Sequence, residues 1–259
     1  MNFIALEFLA AIGLFLGMVL VAEAGRRHGH GFLKRFPEGL PKGVSAAEAA
    51  VFGLLGLLVA FSFNGAASRF EARRHLVTEE VNDIGTAYLR IEALPDDAEA
   101  GLRDKFRRYV DLRLETYRHV GDPKVAMARY AESTALQEEI WTEAVAAAQR
   151  ADAASGTPMI MLQSLNAMFD IATTRLAATR NHPPLAIFVV LFGIGLVGAF
   201  LVGFNTSIDT TGSRFHSIIF ALVMSFIIMV IIDLEFPRQG LIQVTDSDRL
   251  MVELRQGMN

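Results

Sequence analysis

The sequence predicts an all-α integral membrane protein, with four transmembrane helices in two pairs and a helical soluble domain between the second and third. Four runs are apolar and long enough to cross a bilayer core of about 30 Å, which needs roughly 20 helical residues. They lie in two pairs, and the stretch between the pairs, residues 68–183, is polar with apolar residues recurring at helical spacing. Composition agrees: of 259 residues 52% are hydrophobic and mean hydropathy is positive, yet 20% are charged, so part of the chain must meet water.

The first run, Phe3 to Ala24, is interrupted only by Glu7 and Glu23. It lacks a basic segment before its apolar part, and Arg26 and Arg27 follow it, so it reads as a retained membrane helix and not as a signal peptide. The second, Ala46 to Ala67, carries Glu48 near its start and Asn64 near its end. In the polar stretch, Phe106, Tyr109, Val110, Leu114 and Tyr117 mark one helix face. Helix breaks fall at "LPDDAEAG" (94–101), with Pro95 as a stop and Asp96 or Asp97 as a cap, and at "VGDPK" (120–124) and "ASGTP" (154–158). About four helices are therefore expected there. "NHPP" (181–184) opens the third run, Leu185 to Phe204, with Asn181 as its cap. The fourth, His216 to Ile232, is short for a span but strongly apolar.

The domains predicted are 1–67 and 184–234 for the two helix pairs, 68–183 for the soluble part and 235–259 for a C-terminal tail. Basic residues near the membrane ends do not orient the chain. Arg26, Arg27, Lys34, Arg35, Lys42 and Arg214 on one side balance Arg69, Arg73, Arg74, Arg175, Arg180, Arg238 and Arg249 on the other. A net charge of −4 and scattered basic clusters give no footprint for nucleic acid. The absence of cysteine excludes disulfides, thiolate catalysis and Cys-ligated metals. No catalytic, phosphate-binding or dinucleotide motif is present, so neither an enzyme nor a cofactor is expected. His28 and His30 flank a glycine with no third ligand evident, and no metal is assigned.

The stretch "AFSFNGAASRFEARR" (60–74) concentrates the candidate chemistry. Leu54, Leu57, Leu58 and Phe61 share a helix face, Gly53 and Gly56 thin an adjacent one, and Asn64 is followed by four small residues. Apolar rings can gate a pore by dewetting, and small residues permit close helix packing; a lipid-facing helix has the same periodicity. Arg69, Arg73 and Arg74 fit either a basic mouth or phospholipid headgroups. Glu7 is an intramembrane acid and hence a candidate for ion passage, whereas Glu23 reads as interfacial. "MFDIATTRLAATRNHPP" (168–184) supplies Asp170 and Arg175, and "DLEFPRQG" (233–240) supplies Asp233, Glu235 and Arg238. These read as a salt-bridged knot joining the helical domain to the membrane part, or as solvated helix ends.

Four segments taken in order carry a resemblance: "VFGLLGLLVAFSFNGAASRFEARRHLVTEEVNDIGTAYLRIEALP" (51–95), "FRRYVDLRLETY" (106–117), "NAMFDIATTRLAATRNHPP" (166–184) and "DLEFPRQGLIQV" (233–244). The chain resembles the bacterial bestrophin-like domain family, membrane proteins distantly similar to the bestrophin ion channels. The resemblance implies a homo-oligomer, a pentamer in true bestrophins, in a bacterial inner membrane, with the helical domain and both termini cytoplasmic. It also implies passive conduction of inorganic ions through a pore lined by the second membrane helix. Carried over residue by residue, Phe61 and Leu57 form the neck. Gly53 stands one turn further along, where the family would have a larger apolar residue. Asn64, Arg69, Glu71, Arg73 and Arg74 form the mouth. Three arginines there suggest anions, while the family leaves the sign open. After the fourth helix only Asp246 and Asp248 occur, so no calcium clasp is implied. The rival reading is a non-conducting scaffold or sensor, bound by membrane lipid, whose helical domain docks a protein.

Overall fold

A computed structural model describes residues 3–36, 44–207 and 214–258; Lys42 and the side chain of Asp246 lie outside it. Among the described residues every regular element is helical: α1 (Phe3–Arg35), α2 (Val44–Leu89), α3 (Asp96–Arg118), α4 (Pro123–Ala148), α5 (Thr157–Arg180), α6 (Leu185–Asn205), α7 (Arg214–Glu235) and α8 (Thr245–Gly257), with a 3-10 turn at Arg90–Ala93. Four helices are apolar and long enough to cross a membrane. The chain divides into two compact units, one of Met1–Phe70 with His182–Leu241 and the other of Glu71–Asn181 with Ile242–Asn259.

In the first unit, lipid offers no hydrophobic drive for helices to associate, so contact depends on close approach of backbones. α6 supplies this with Gly195, Ala199 and Gly203, three small residues one turn apart, and Ser207 follows just beyond its end. They meet α1 along Met18, Ala22, Gly25 and Gly29. A Cβ on Gly203 would overlap the Ala22 carbonyl, one on Gly25 the Phe200 carbonyl, and one on Gly29 the Ser207 hydroxyl. This seam explains a difference from the sequence reading, which ended the first apolar run at Ala24, ahead of the glycine-rich "GRRHGHG". α1 runs on to Arg35 because two of its glycines are packing contacts and not breaks. α2 joins through Leu55 and Ala66, with Phe52 edge-on to Phe220 at 6.0 Å, and α7 through Ala221, Met224 and Ile228. α7 spans 22 residues, which removes the shortness of the fourth apolar run.

The second unit has an aqueous-type core. The second half of α2 contributes Ile84 and Tyr88, α3 Leu102, Phe106 and Tyr109, α4 Leu136 and Ile140, and α5 Met161, Leu165 and Met168. Each such side chain contributes about 1.5–3 kcal/mol on full burial. The expected breaks occur at Pro95, Asp122–Pro123 and Gly156. Asp122 caps α4, its Oδ1 accepting from the Lys124 and Val125 N–H groups at 3.1 and 3.3 Å. Gly156 takes a left-handed φ of 86° ahead of α5, a conformation that side chains resist.

Two caps differ from expectation. Pro95, not an aspartate, precedes α3, and Asp96 and Asp97 lie in its first turn, where their charge favours the helix dipole. Pro184 precedes α6, and Asn181 closes α5 instead. The boundary read at residue 67 falls inside α2, which continues unbroken because no proline interrupts it before Leu89. Residues 235–259, read as a tail, contain α8, whose Met251 and Leu254 pack in the second unit's core.

Gly203→Leu is expected to destabilise the protein by about 3 kcal/mol or more, because overpacking here meets backbone. Gly193→Leu, where a Cβ meets nothing within 4 Å, should stay within about 0.5 kcal/mol. Thermal unfolding in detergent micelles measures both.

Candidate functional site

Within the chain, α2 buries one side and leaves the other open. Leu55 and Ala66 are 3% and 0% exposed, while Leu57 and Phe61 are 52% and 67% exposed. Gly53, Ala60, Asn64 and Ser68 share the open side with them. The register follows from helical geometry, since 53, 57, 61, 64 and 68 are separated by three or four residues and 60 lies three from 57 and four from 64. The open faces of the neighbouring helices are different in chemistry. From residue 5 to 24 the exposed residues of α1 are apolar, Leu6, Leu9, Ile12, Leu16 and Leu20 among them, while α7 shows Ile219, Leu222 and Phe226 after an exposed start at Arg214, Phe215 and His216. The α2 stripe combines small, bulky apolar and amide side chains.

At the end of that stripe Arg69 turns inward. Its guanidinium forms a two-pronged ion pair with Glu235 at the end of α7, with Nε at 2.9 Å from Oε1 and Nη2 on the same oxygen. The Glu235 side chain is 1% exposed, so the pair is shielded from water on that side, and His182 lies beside it with Nδ1 at 3.7 Å. His182 in turn stacks on Phe236 at 4.7 Å. A groove of about 180 Å³ lies here, bounded by Phe61, Gly65, Arg69, Pro183, Ile187 and Glu235. Two residues earlier in α7, Asp233 is also buried and accepts the Leu241 N–H at 2.6 Å, folding the chain after α7 back on itself. Gly240 is required there, as a Cβ would run into the Asp233 carboxylate. "DLEFPRQG" is thus a polar knot inside the first unit, with Arg238 half-buried in its turn.

The other expected residues separate. In the second unit Arg73 is buried and donates to the carbonyls of Ala178 (3.1 Å) and Asn181 (2.9 Å), closing the C-terminal end of α5. Arg74 pairs with Glu71 at 2.9 Å on an exposed helix surface. Asp170 is exposed, whereas Arg175 is buried in the second unit, bound to Glu80 and 3.3 Å from Asp248. Sequence reasoning therefore grouped residues by their place in the chain that the fold divides among different partners. Glu7 is buried in the first unit, away from the α2 stripe, and Glu23 pairs with Arg26 and Arg27.

Sequence reasoning also missed three features. Glu48 accepts a hydrogen bond from the Asn205 amide at 2.7 Å, a buried polar contact between α2 and α6. His182 joins the Arg69–Glu235 pair. Glu80 is fully buried between Arg113 and Arg175. Only the last left a trace, as Glu80 lies four residues before Ile84 on the apolar side of α2.

Residues 14–248 match the family model described as Bestrophin-like domain. A substituted form of a bacterial bestrophin homologue from Klebsiella pneumoniae has a similar structure, with a TM-score of 0.73 at 13% identity, covering 96% of this chain and 98% of that one. A second substituted form gives 0.74 at 14% identity, with 96% and 97% covered. A further solved membrane protein gives 0.69 at 14% identity, with 95% and 98% covered. No curated protein matches the chain. At these identities the likeness is one of fold.

Arg69→Ala leaves Glu235 buried without its guanidinium and is expected to cost about 3 kcal/mol. Replacing both, with Arg69→Met and Glu235→Leu, should recover most of the loss, because the desolvated charge is then gone. Thermal unfolding of the two variants in detergent gives the comparison, and equal losses in both would refute the coupling.

Proposed function

The chain belongs to the bestrophin-like domain family, and from that premise we propose that it is a passive ion channel, a homo-oligomer of a bacterial inner membrane whose α2 helices surround the pore. The observation that carries the reading is the open stripe of α2. A surface facing hydrocarbon is apolar, as on α1 from residue 5 to 24, because an amide there has no partner. A stripe holding Asn64 and Ser68 beside Leu57 and Phe61 suits water and neighbouring copies better than lipid. Family and fold support the reading, since both point to bestrophins.

Conduction along this stripe needs no bond chemistry. Leu57 and Phe61 form a neck whose hydration sets passage, because an apolar constriction excludes ions by dewetting. Gly53 widens the path one turn away from it. Asn64 offers an amide to ions that have shed part of their water on leaving the neck.

The arginines carry less than their number suggests. Arg69 is neutralised by Glu235 and Arg74 by Glu71, while Arg73 serves backbone carbonyls. The local surplus of positive charge is small, so an anion preference has little electrostatic support from this mouth. The helical domain and both termini are assigned to the cytoplasm, following the family's orientation.

The protein reconstituted in liposomes should pass chloride or potassium above the level of empty liposomes. Phe61→Ala should raise that flux roughly tenfold, equivalent to about 1.4 kcal/mol of barrier. Absence of flux in both proteins would refute the channel, and unchanged flux in the variant would remove Phe61 from the neck.

A further inference from the structure

α2 is one unbroken helix from Val44 to Leu89, so the register of its open stripe carries on past Ser68. Glu71, His75, Glu79, Asn82 and Thr86 follow Ser68 at intervals of three or four residues, which puts them on the same side of the helix, and all five are exposed. We propose that Glu79 on this face gives the conducting path a preference for monovalent cations, an inference that rests on the reading of α2 as the pore-lining helix.

The charges along the face decide the sign. Glu71 is held by Arg74, at the edge of the face, at 2.9 Å, and His75 Nε2 lies 3.4 Å from its other oxygen. Arg69 and Arg73 lie off the face, turned to Glu235 and to backbone carbonyls. Glu79 takes part in no ion pair among the described residues, and Asp83, half-buried at the other edge, adds a second carboxylate. On the buried side of α2 the charges balance, Glu80 and Asp248 against Arg113 and Arg175. Arg90, just past the helix end, donates to the Ile160 carbonyl. At 1.5 Å per residue it stands about 16 Å beyond Glu79, about twice the Debye length at physiological salt. The uncompensated charge on the face is therefore negative.

An exposed glutamate can also do no more than solvate a helix. Solvated faces elsewhere in the second unit pair acids with bases three residues away, as Glu115 with Arg118 and Glu132 with Arg129. Four residues after Glu79 stands Asp83 instead, a like charge that weakens the helix. In a homo-oligomer whose α2 helices surround one path, each copy brings its own Glu79. A ring of carboxylates around a path raises the local concentration of cations and lowers that of anions. Because the side chain is exposed, passing ions keep their water there, and the ring sorts them by sign of charge and not by size.

Reversal potentials of the full chain in planar bilayers under a potassium chloride gradient test this, at pH 8, where a histidine in water is neutral. The protein should favour potassium over chloride roughly tenfold. Glu79→Gln should lower that ratio about threefold or more, Glu79→Asp should keep it, and Glu79→Lys should invert it. Current that favours chloride in the unaltered protein, a ratio unchanged in Glu79→Gln, or loss of the preference in Glu79→Asp would overturn this inference and leave the channel standing. Absence of current from every one of these proteins would overturn both.

Discussion

Lipid gives apolar helices no reason to prefer one another over acyl chains, and the first unit is built around that constraint. Its helices meet where backbones can approach, along the seam of Ala22, Gly25 and Gly29 on α1 with Gly195, Ala199 and Gly203 on α6. Large side chains such as Leu16, Leu20, Leu222 and Phe226 are displaced to the outside, where they meet lipid at no cost. Several of the polar residues that remain inside are paired: Glu48 with Asn205, Arg69 with Glu235, and Asp233 with the Leu241 backbone. Against that background the mixed stripe on α2 is an exception in composition, which is what makes it the candidate for a water-facing surface.

The second unit solves a different problem with different means. Its core is filled by Phe106, Tyr109, Ile140, Leu165 and Met168, and water supplies the drive that lipid does not. Inside that core Glu80 lies between Arg113 and Arg175, and both guanidiniums face the Tyr117 ring.

The arginines show how far the environment resets a residue's meaning. In the chain Arg69, Arg73 and Arg74 are one cluster, and Arg69 and Arg73, four residues apart, even share a helix face. What lies within reach of each differs: Arg69 meets a buried carboxylate, Arg73 the carbonyls at the end of a helix, and Arg74 a surface glutamate. A cluster in sequence is thus three separate interactions in space.

The fold class was legible because it rests on local properties. Four long apolar runs, helical periodicity between them and breaks at Pro95, Pro123 and Gly156 depend on propensity and burial near each residue. The face that spacing marks on α2 was legible in part, since Leu54, Leu57 and Phe61 are exposed while Leu58 is half-buried, and Gly53 and Asn64 were added to it by the resemblance. What the sequence left open needed a partner from elsewhere in the chain. Whether Gly25 and Gly29 end a helix or seal one depended on α6, and whether Arg175 anchors a domain or lies buried within one depended on Glu80, 95 residues away. Helical pattern is written into neighbouring residues, but the pairing of buried charges is a long-range property, and only the packed structure decided it.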